Sequence, residues 1–379
     1  MVSLQNPLFM KRKLLLFLIT AVCFSGKPAD KEQAVHFEIS GKTENLVIVT
    51  IDGVRWKEVF GGADSSLINN KEFTEDAEMQ DLLYWDDDVK ERRKKLMPFF
   101  WNVLARKGQL LGNRDYGNKV DVRNLYKISY AGYNELFTGN TDWLVFNNKK
   151  KLNSNRNVFE RLNAMEAYHN RIALFSSWNV FPYILRSSRN SFFMNSAYEP
   201  ITDTALNDVH LVQENAVFDK ETTHTRHDLL TFISAREYIQ KKQPKIVYIA
   251  FGETDEYAHQ KRYDMYLHHI NAFDRMLGEL WGFLQSSPVY RNKTSLLVTT
   301  DHGRGNRSGN WNAHGMAIPG SSHTWLAVMG PNVHPEGERA DEHQLYAKEL
   351  PSIIYHLLGI NNTLVPATLN TNDYATGKH

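Results

Sequence analysis

The apolar positions of this chain fall into two kinds of run. The first is short, continuous and rich in β-branched residues: Leu46-Val-Ile-Val-Thr-Ile51, Arg171-Ile-Ala-Leu-Phe175, Lys245-Ile-Val-Tyr-Ile-Ala-Phe251 and Ser295-Leu-Leu-Val-Thr-Thr300. Runs of that length without alternation predict strands buried on both faces, and Trp325-Leu-Ala-Val-Met-Gly330 predicts a further strand. In the second kind, apolar residues recur at three- and four-residue spacing. These predict helices over Met97–Lys107, Val158–Ala167, Asp228–Lys241, Tyr263–Leu284 and Gln344–Leu358. Strands alternating with helices imply an α/β fold, a mainly parallel central sheet sandwiched by helices. The stretches 58–84 and 141–157 are polar and aromatic without sheet character and predict insertions that cap one edge. No internal repeat is present.

Ligands of such sheets bind beyond the carboxyl ends of the strands. Three of the four continuous runs lead directly into Asp52-Gly53, Gly252-Glu-Thr-Asp255 and Asp301-His302-Gly303. The acidic groups should therefore meet along one edge, where they would repel one another unless a cation sat among them. His259 comes one helical turn after Asp255, so both side chains point the same way, as two ligands of one metal would. Asp301 and His302 are adjacent and diverge, which suits service to one ion from two directions or to two ions. Either His314, in Asn310-Trp-Asn-Ala-His-Gly315, or His323, just before a strand, can complete the site begun by Asp255 and His259. Mixed carboxylate and imidazole ligands suit zinc or a similar divalent ion.

With 379 residues, 42% of them hydrophobic, the chain can bury a large core. Its start, Met10-Lys-Arg-Lys-Leu-Leu-Leu-Phe-Leu-Ile-Thr-Ala-Val-Cys-Phe-Ser-Gly26, joins a basic region to a short apolar core and small residues. It predicts a signal peptide over 1–25 and an exported mature chain, periplasmic or secreted, of one catalytic domain over 26–379. The sole cysteine, Cys23, lies in that signal; Val22 before it is a poor match to a lipobox, which disfavours lipoprotein anchoring. No run reaches the roughly twenty apolar residues of a membrane span. Without Lys11, Arg12 and Lys13 the mature chain has 41 basic and 43 acidic residues, so no global field favours nucleic acid. Oligomeric state is not assigned.

The order of these motifs, Asp-Gly, a hydroxyl residue some eighty positions on, Asp-x-x-x-His, Asp-His-Gly and a late His, resembles the alkaline phosphatase superfamily, most nearly its type I phosphodiesterase/nucleotide pyrophosphatase branch and related bacterial phosphatases. The resemblance spans Ile48 to Leu358. It implies two divalent metal ions, zinc or alternatively manganese. Asp255, His259 and His314 would hold one. Asp52, Asp301, His302 and the nucleophile would hold the other. The family's nucleophile opens a helix and precedes Thr-Gly by nine residues; Ser129-Tyr-Ala-Gly-Tyr-Asn-Glu-Leu-Phe-Thr138-Gly139 fits, making Ser129 the expected nucleophile. By itself Ser129 also reads as a helix N-cap.

The resemblance implies a small phosphorylated substrate, a phosphate mono- or diester, cleaved through a phosphoseryl intermediate. Asn147 or Asn148 and Arg304 are the expected substrate contacts. Lys149-Lys150-Lys151 reads as solvated surface or, near a cap, as an attractor for phosphorylated substrate. The chain departs from the phosphodiesterase pattern at Ala131-Gly132-Tyr133, where that branch carries Pro-Asn-His. The rival readings are a phosphoryl transferase or mutase and a sulfatase-like hydrolase. A mutase would carry a large insertion after the nucleophile. A sulfatase would carry x-Pro-x-Arg there, which Ser129-Tyr-Ala-Gly-Tyr lacks. His268 and His269, further along the same helical pattern, read as structural.

Overall fold

The computed structural model describes residues 43–201 and 225–360. The signal-peptide expectation over 1–25, Cys23 included, lies outside the described residues. Eight strands form the main sheet in the order β10-β2-β9-β7-β1-β6-β4-β5. They are β1 (Asn45–Ile51), β2 (Gly108–Leu111), β4 (Ile172–Ser176), β5 (Phe193–Ser196), β6 (Ile246–Phe251), β7 (Thr294–Thr299), β9 (Leu326–Met329) and β10 (Gly337–Glu338). β7, β1, β6, β4 and β5 pair in parallel; β9 runs antiparallel to both β7 and β2. A second sheet joins β11 (His343–Tyr346), β3 (Asn118–Asp121) and β8 (His323–Thr324). The α/β expectation holds: the five continuous runs are strands, each within a residue or two of its predicted bounds.

Every residue of β1, β6 and β7 is buried, as their unbroken apolar character requires. Their register sets the site. Thr50 of β1 lies opposite Ala250 of β6 on one side and Thr299 of β7 on the other. Parallel strands so aligned end level, and Asp52, Gly252 and Thr300 emerge side by side.

Helices cover the sheet. The stretch 58–84 forms α1 (Trp56–Gly61), α2 (Ser65–Ile68) and α3 (Ala77–Tyr84). Val59, Phe60, Leu67 and Ile68 of this stretch enter the main core. Further along the chain the helices that bear on the site and the core are α4 (Ser129–Thr138), α5 (Val158–Asn163), α6 (Asp228–Lys242), α7 (Glu253–His259), α8 (Tyr263–Ser286) and α9 (Leu350–Leu357). Along α8, Tyr263, Tyr266, Leu267, Ile270, Phe273, Leu277, Leu280 and Leu284 form the buried stripe that its spacing demands.

Over Met97–Lys107 the expected helix forms, with a π-helical turn at Phe100–Leu104 where the carboxylate of Asp274 accepts the N–H groups of Phe99 and Phe100. Two other helix expectations need correction. The helix from Val158 ends at Asn163, short of Ala167. Gln344 lies in β11, and helix begins only at Leu350, because residues 343–346 find strand partners at 118–121 that local periodicity does not register.

α6 and α7 are locked at their starts by reciprocal capping. Asp228 accepts the N–H groups of Gly252 (2.8 Å) and Glu253 (3.1 Å) and the hydroxyl of Ser177, while Glu253 accepts the N–H of Asp228 at 2.7 Å. Each carboxylate thus satisfies donors that a helix start leaves without intrahelical partners. Replacing Asp228 with Ala strands two buried N–H groups. It should lower unfolding free energy by about 2–4 kcal/mol in urea titration; an unchanged midpoint would remove the capping network from the account.

Candidate metal centre

Side chains converge at the level end of β7, β1 and β6. Asp52 comes directly after β1, Asp301 and His302 after β7, and Asp255 and His259 lie on the one-turn face of α7. His302 Nε2 stands 3.4 Å from Asp52 Oδ1, 3.5 Å from Asp301 Oδ2 and 3.4 Å from Ser129 Oγ. His259 Nε2 lies 3.1 Å from Asp255 Oδ2 and 3.2 Å from His314 Nε2. The His302 and His314 rings stack at 3.9 Å between centroids, so the two groups adjoin. All seven residues named as ligands from the sequence, Ser129 among them, are thus brought together. His323 is not: it sits in β8 opposite Asp121, in the smaller sheet.

The donors fit divalent cations. Asp52 Oδ1 and Asp301 Oδ2 are buried and have no hydrogen-bond partner, a costly state for ionised oxygens unless a cation is supplied. Asp52, Asp301 and His302 offer atoms close enough for one ion, and Asp255, His302 and His314 form a second such group. The imidazoles are set for ligation from behind. His302 Nδ1 lies 3.0 Å from the Gly303 carbonyl and His314 Nδ1 lies 2.9 Å from the Lys127 carbonyl, which holds each ring's proton there and turns Nε2 inward. Burial pushes both imidazoles below their ordinary pKa, and neighbouring cationic groups push His314 further, favouring the neutral ligand form.

The carboxyls respond in the opposite sense. Burial, reinforced by Asp301, raises Asp52 to about 8, and burial raises Asp301 to about 7. Arg304 is the cation at hand. It is fully buried, touches Asp255, and donates to the carbonyls of Gly53 (2.8 Å) and Asn312 (2.6 Å). The guanidinium of Arg304, an expected substrate contact, faces inward and braces the loops that carry Asp52, Asp255 and His314.

Ser129 opens α4, buried at the edge of the cluster. Asn148 Oδ1 accepts the N–H of Tyr130 at 3.0 Å, placing its amide beside the turn that Ser129 opens, whereas Asn147 Oδ1 accepts the N–H of Lys149. The departure at Ala131-Gly132-Tyr133 acquires a physical reason. A Cβ on Gly132 would lie 2.3 Å from the Asp301 carbonyl oxygen, so only glycine lets α4 approach the metal loop this closely. Tyr133 donates its hydroxyl to Asp52 Oδ2 at 3.2 Å.

Tyr133 was missed from sequence, although its position four residues after Ser129 places both on one helical face. Thr254, whose hydroxyl bonds the Asp52 carbonyl at 2.7 Å, was missed too, as was Lys127, whose left-handed backbone (φ 51°) aims its carbonyl at His314. Neither carried a signal beyond adjacency to a motif.

Residues 189–356 match the model of the Metalloenzyme superfamily. Among solved structures, the lipoteichoic acid synthase LtaP of Listeria monocytogenes aligns with a TM-score of 0.56 at 10% identity, over 86% of this chain and 74% of its own. A substituted form of the alkaline phosphatase PafA aligns with 0.56 at 10% identity, over 84% and 96%. BT1596, a 2-O GAG sulfatase, aligns with 0.53 at 11% identity, over 86% and 72%. The fold is that of the alkaline-phosphatase-like metalloenzymes. Identities this low speak for the fold alone, and the match to the phosphodiesterase branch in particular has no counterpart here. No curated protein matches the chain significantly. Among the described residues no helix is long and apolar enough to cross a membrane.

Two outcomes test this centre. Gly132→Ala should cost about 1–3 kcal/mol of stability by overpacking; wild-type melting would show that α4 does not need the close approach. The second concerns pH. Unfolded, Asp52 and Asp301 ionise near 3.8, but folded and metal-free they hold protons to about 8 and about 7. The metal-free fold therefore binds more protons over that interval and loses stability as pH rises through it. Chelated protein should melt progressively lower from pH 5 to 8 and zinc should flatten the trend; a flat profile without metal would refute it.

Proposed function

We propose that the protein is an exported two-metal phosphohydrolase that cleaves phosphate monoesters or diesters through a phosphoseryl intermediate, with Ser129 as nucleophile. The observation that carries this reading is the position of Ser129 Oγ, 3.4 Å from His302 Nε2 at the start of a buried helix, beside two adjoining groups of ligand atoms. In this reading Asp255, His259 and His314 hold one ion, and Asp52, Asp301, His302 and Ser129 hold the other. When bound, two divalent ions polarise phosphoryl oxygens and favour ionisation of a coordinated hydroxyl.

The chain's own groups do the rest. The start of α4 presents its positive end to the phosphoryl group, and Asn148, whose Oδ1 accepts the Tyr130 N–H, lies at the same turn. Ser129 Oγ bonds to phosphorus as the bond to the leaving alcohol breaks; the alcohol departs with a proton. Water then cleaves the phosphoseryl ester, releasing phosphate from a monoester or the remaining monoester from a diester, and restoring the hydroxyl. The Lys127 and Gly303 carbonyls keep His314 and His302 in the tautomer that leaves Nε2 available.

The structural neighbours include an alkaline phosphatase, a sulfatase and a lipoteichoic acid synthase, so the fold accommodates hydrolysis and transfer alike. Phosphate is favoured over sulfate by the absence of x-Pro-x-Arg after Ser129. Purified mature protein should hydrolyse para-nitrophenyl phosphate or its bis-ester far faster than para-nitrophenyl sulfate. Chelation should abolish turnover, zinc should restore it, and Ser129→Ala should lower it by about 10³-fold or more. Turnover surviving Ser129→Ala would remove the nucleophile assignment. No turnover of any ester by metal-loaded protein would move the search to an acceptor alcohol.

A further inference from the structure

Beside the nucleophile's helix the chain displays apolar side chains to solvent. Trp143 is 70% exposed, Phe146 56%, Leu125 52% and Leu144 51%. They form one patch: Tyr126, next to Leu125, donates its hydroxyl to the Trp143 carbonyl at 2.8 Å and sets its ring 6.3 Å from that of Phe146. Isolated exposed apolar residues are ordinary, but a cluster with two aromatic rings at its centre marks an interaction surface.

The loop is not apolar because it lacks a fold. Its underside is fastened by polar bonds. Asp142 accepts the N–H of Leu144 at 2.9 Å and the amide of Asn155 at 2.9 Å, and Asn155 and Asn153 both donate to Asn134 on α4. The polar side is thus committed to the protein, which leaves Trp143, Leu144 and Phe146 outward. Close after them Lys149, Lys150 and Lys151 are all exposed. An amphipathic aromatic ring with leucine and a flanking lysine row is the pattern that enters the headgroup region of an anionic bilayer. A protein partner would be expected to present a bounded apolar pocket; three exposed lysines following the apolar residues within a few positions are instead complementary to a continuous negative surface.

We infer that the surface formed by Leu125, Trp143, Leu144, Phe146 and Lys149–Lys151 docks the protein onto anionic lipid bilayers. Docking would set the opening of α4, to which Asn148 and Asn134 tie this loop, against the membrane. The substrate would then be a phosphoester carried at the lipid surface, and that consequence, unlike the docking, rests on the proposed function.

The test is co-sedimentation of the metal-loaded mature protein with phosphatidylcholine vesicles, with and without phosphatidylglycerol, at low and high salt. The expected result is binding to the anionic vesicles that weakens with salt. Trp143→Ser combined with Phe146→Ser should reduce it about tenfold or more. Lys149→Gln, Lys150→Gln and Lys151→Gln together should remove its dependence on phosphatidylglycerol and salt. The Trp143/Phe146 variant should keep wild-type melting and wild-type turnover of a water-soluble ester, and Ser129→Ala should bind vesicles as the parent does. Parent protein that stays in the supernatant with both vesicle types overturns the proposal and hands the patch to a protein partner. Equal sedimentation of parent and variants overturns it as well. Because binding is read without catalysis, vesicle binding by a protein inactive on every ester would sink the proposed function and leave the docking standing.

Discussion

Three carboxylates crowd one end of a buried sheet, and the arrangement around them answers the cost of putting them there. Asp52 and Asp301 are buried, their outward oxygens lack hydrogen-bond partners, and each carboxyl holds its proton far above the ordinary range. Ionised, such a group is stable only beside a cation. Arg304 supplies one fixed positive charge behind Asp255, itself weakened by burial to a pKa of about 9. That leaves the oxygens on the open side to divalent ions. A divalent ion taken up there would have to displace those protons.

The scaffold's part is to hold this unfavourable grouping in place. Parallel pairing of β1 with both β6 and β7 brings the three strands out level, so motifs hundreds of residues apart become neighbours. Reciprocal capping by Asp228 and Glu253 fixes the start of α7 and with it the Asp255/His259 pair. Gly132 admits α4 to within contact of the Asp301 backbone, which brings the Ser129 hydroxyl to His302. Backbone carbonyls of Gly303 and Lys127 orient the two stacked imidazoles. None of these parts ligates a metal, and each sets where a ligand stands.

The outer face obeys a different logic. Hydrogen bonds among Asn134, Asn153, Asn155 and Asp142 tie the loop after α4 down and hold these polar side chains against the protein. The side chains left outward are aromatic and aliphatic, with lysines alongside. The same anchoring network thus ties this loop to α4 and leaves its apolar side chains at the surface.

Much of this was legible in the chain. Continuous β-branched runs announce strands because burial on both faces leaves no room for polar alternation, and acids directly after such runs announce a site because parallel sheets open at that edge. Residue types, the Asp-x-x-x-His spacing and the Ser129 helix start belong to the same local grammar. Pairing over long range belongs to another. That His314 rather than His323 stands beside His259, that Arg304 turns inward, that Gln344 is strand, and that Gly132 is required by a carbonyl some 170 residues away all depend on which segments meet. Local sequence encodes propensity and burial; the identity of a contact's far partner is decided only when the sheet assembles.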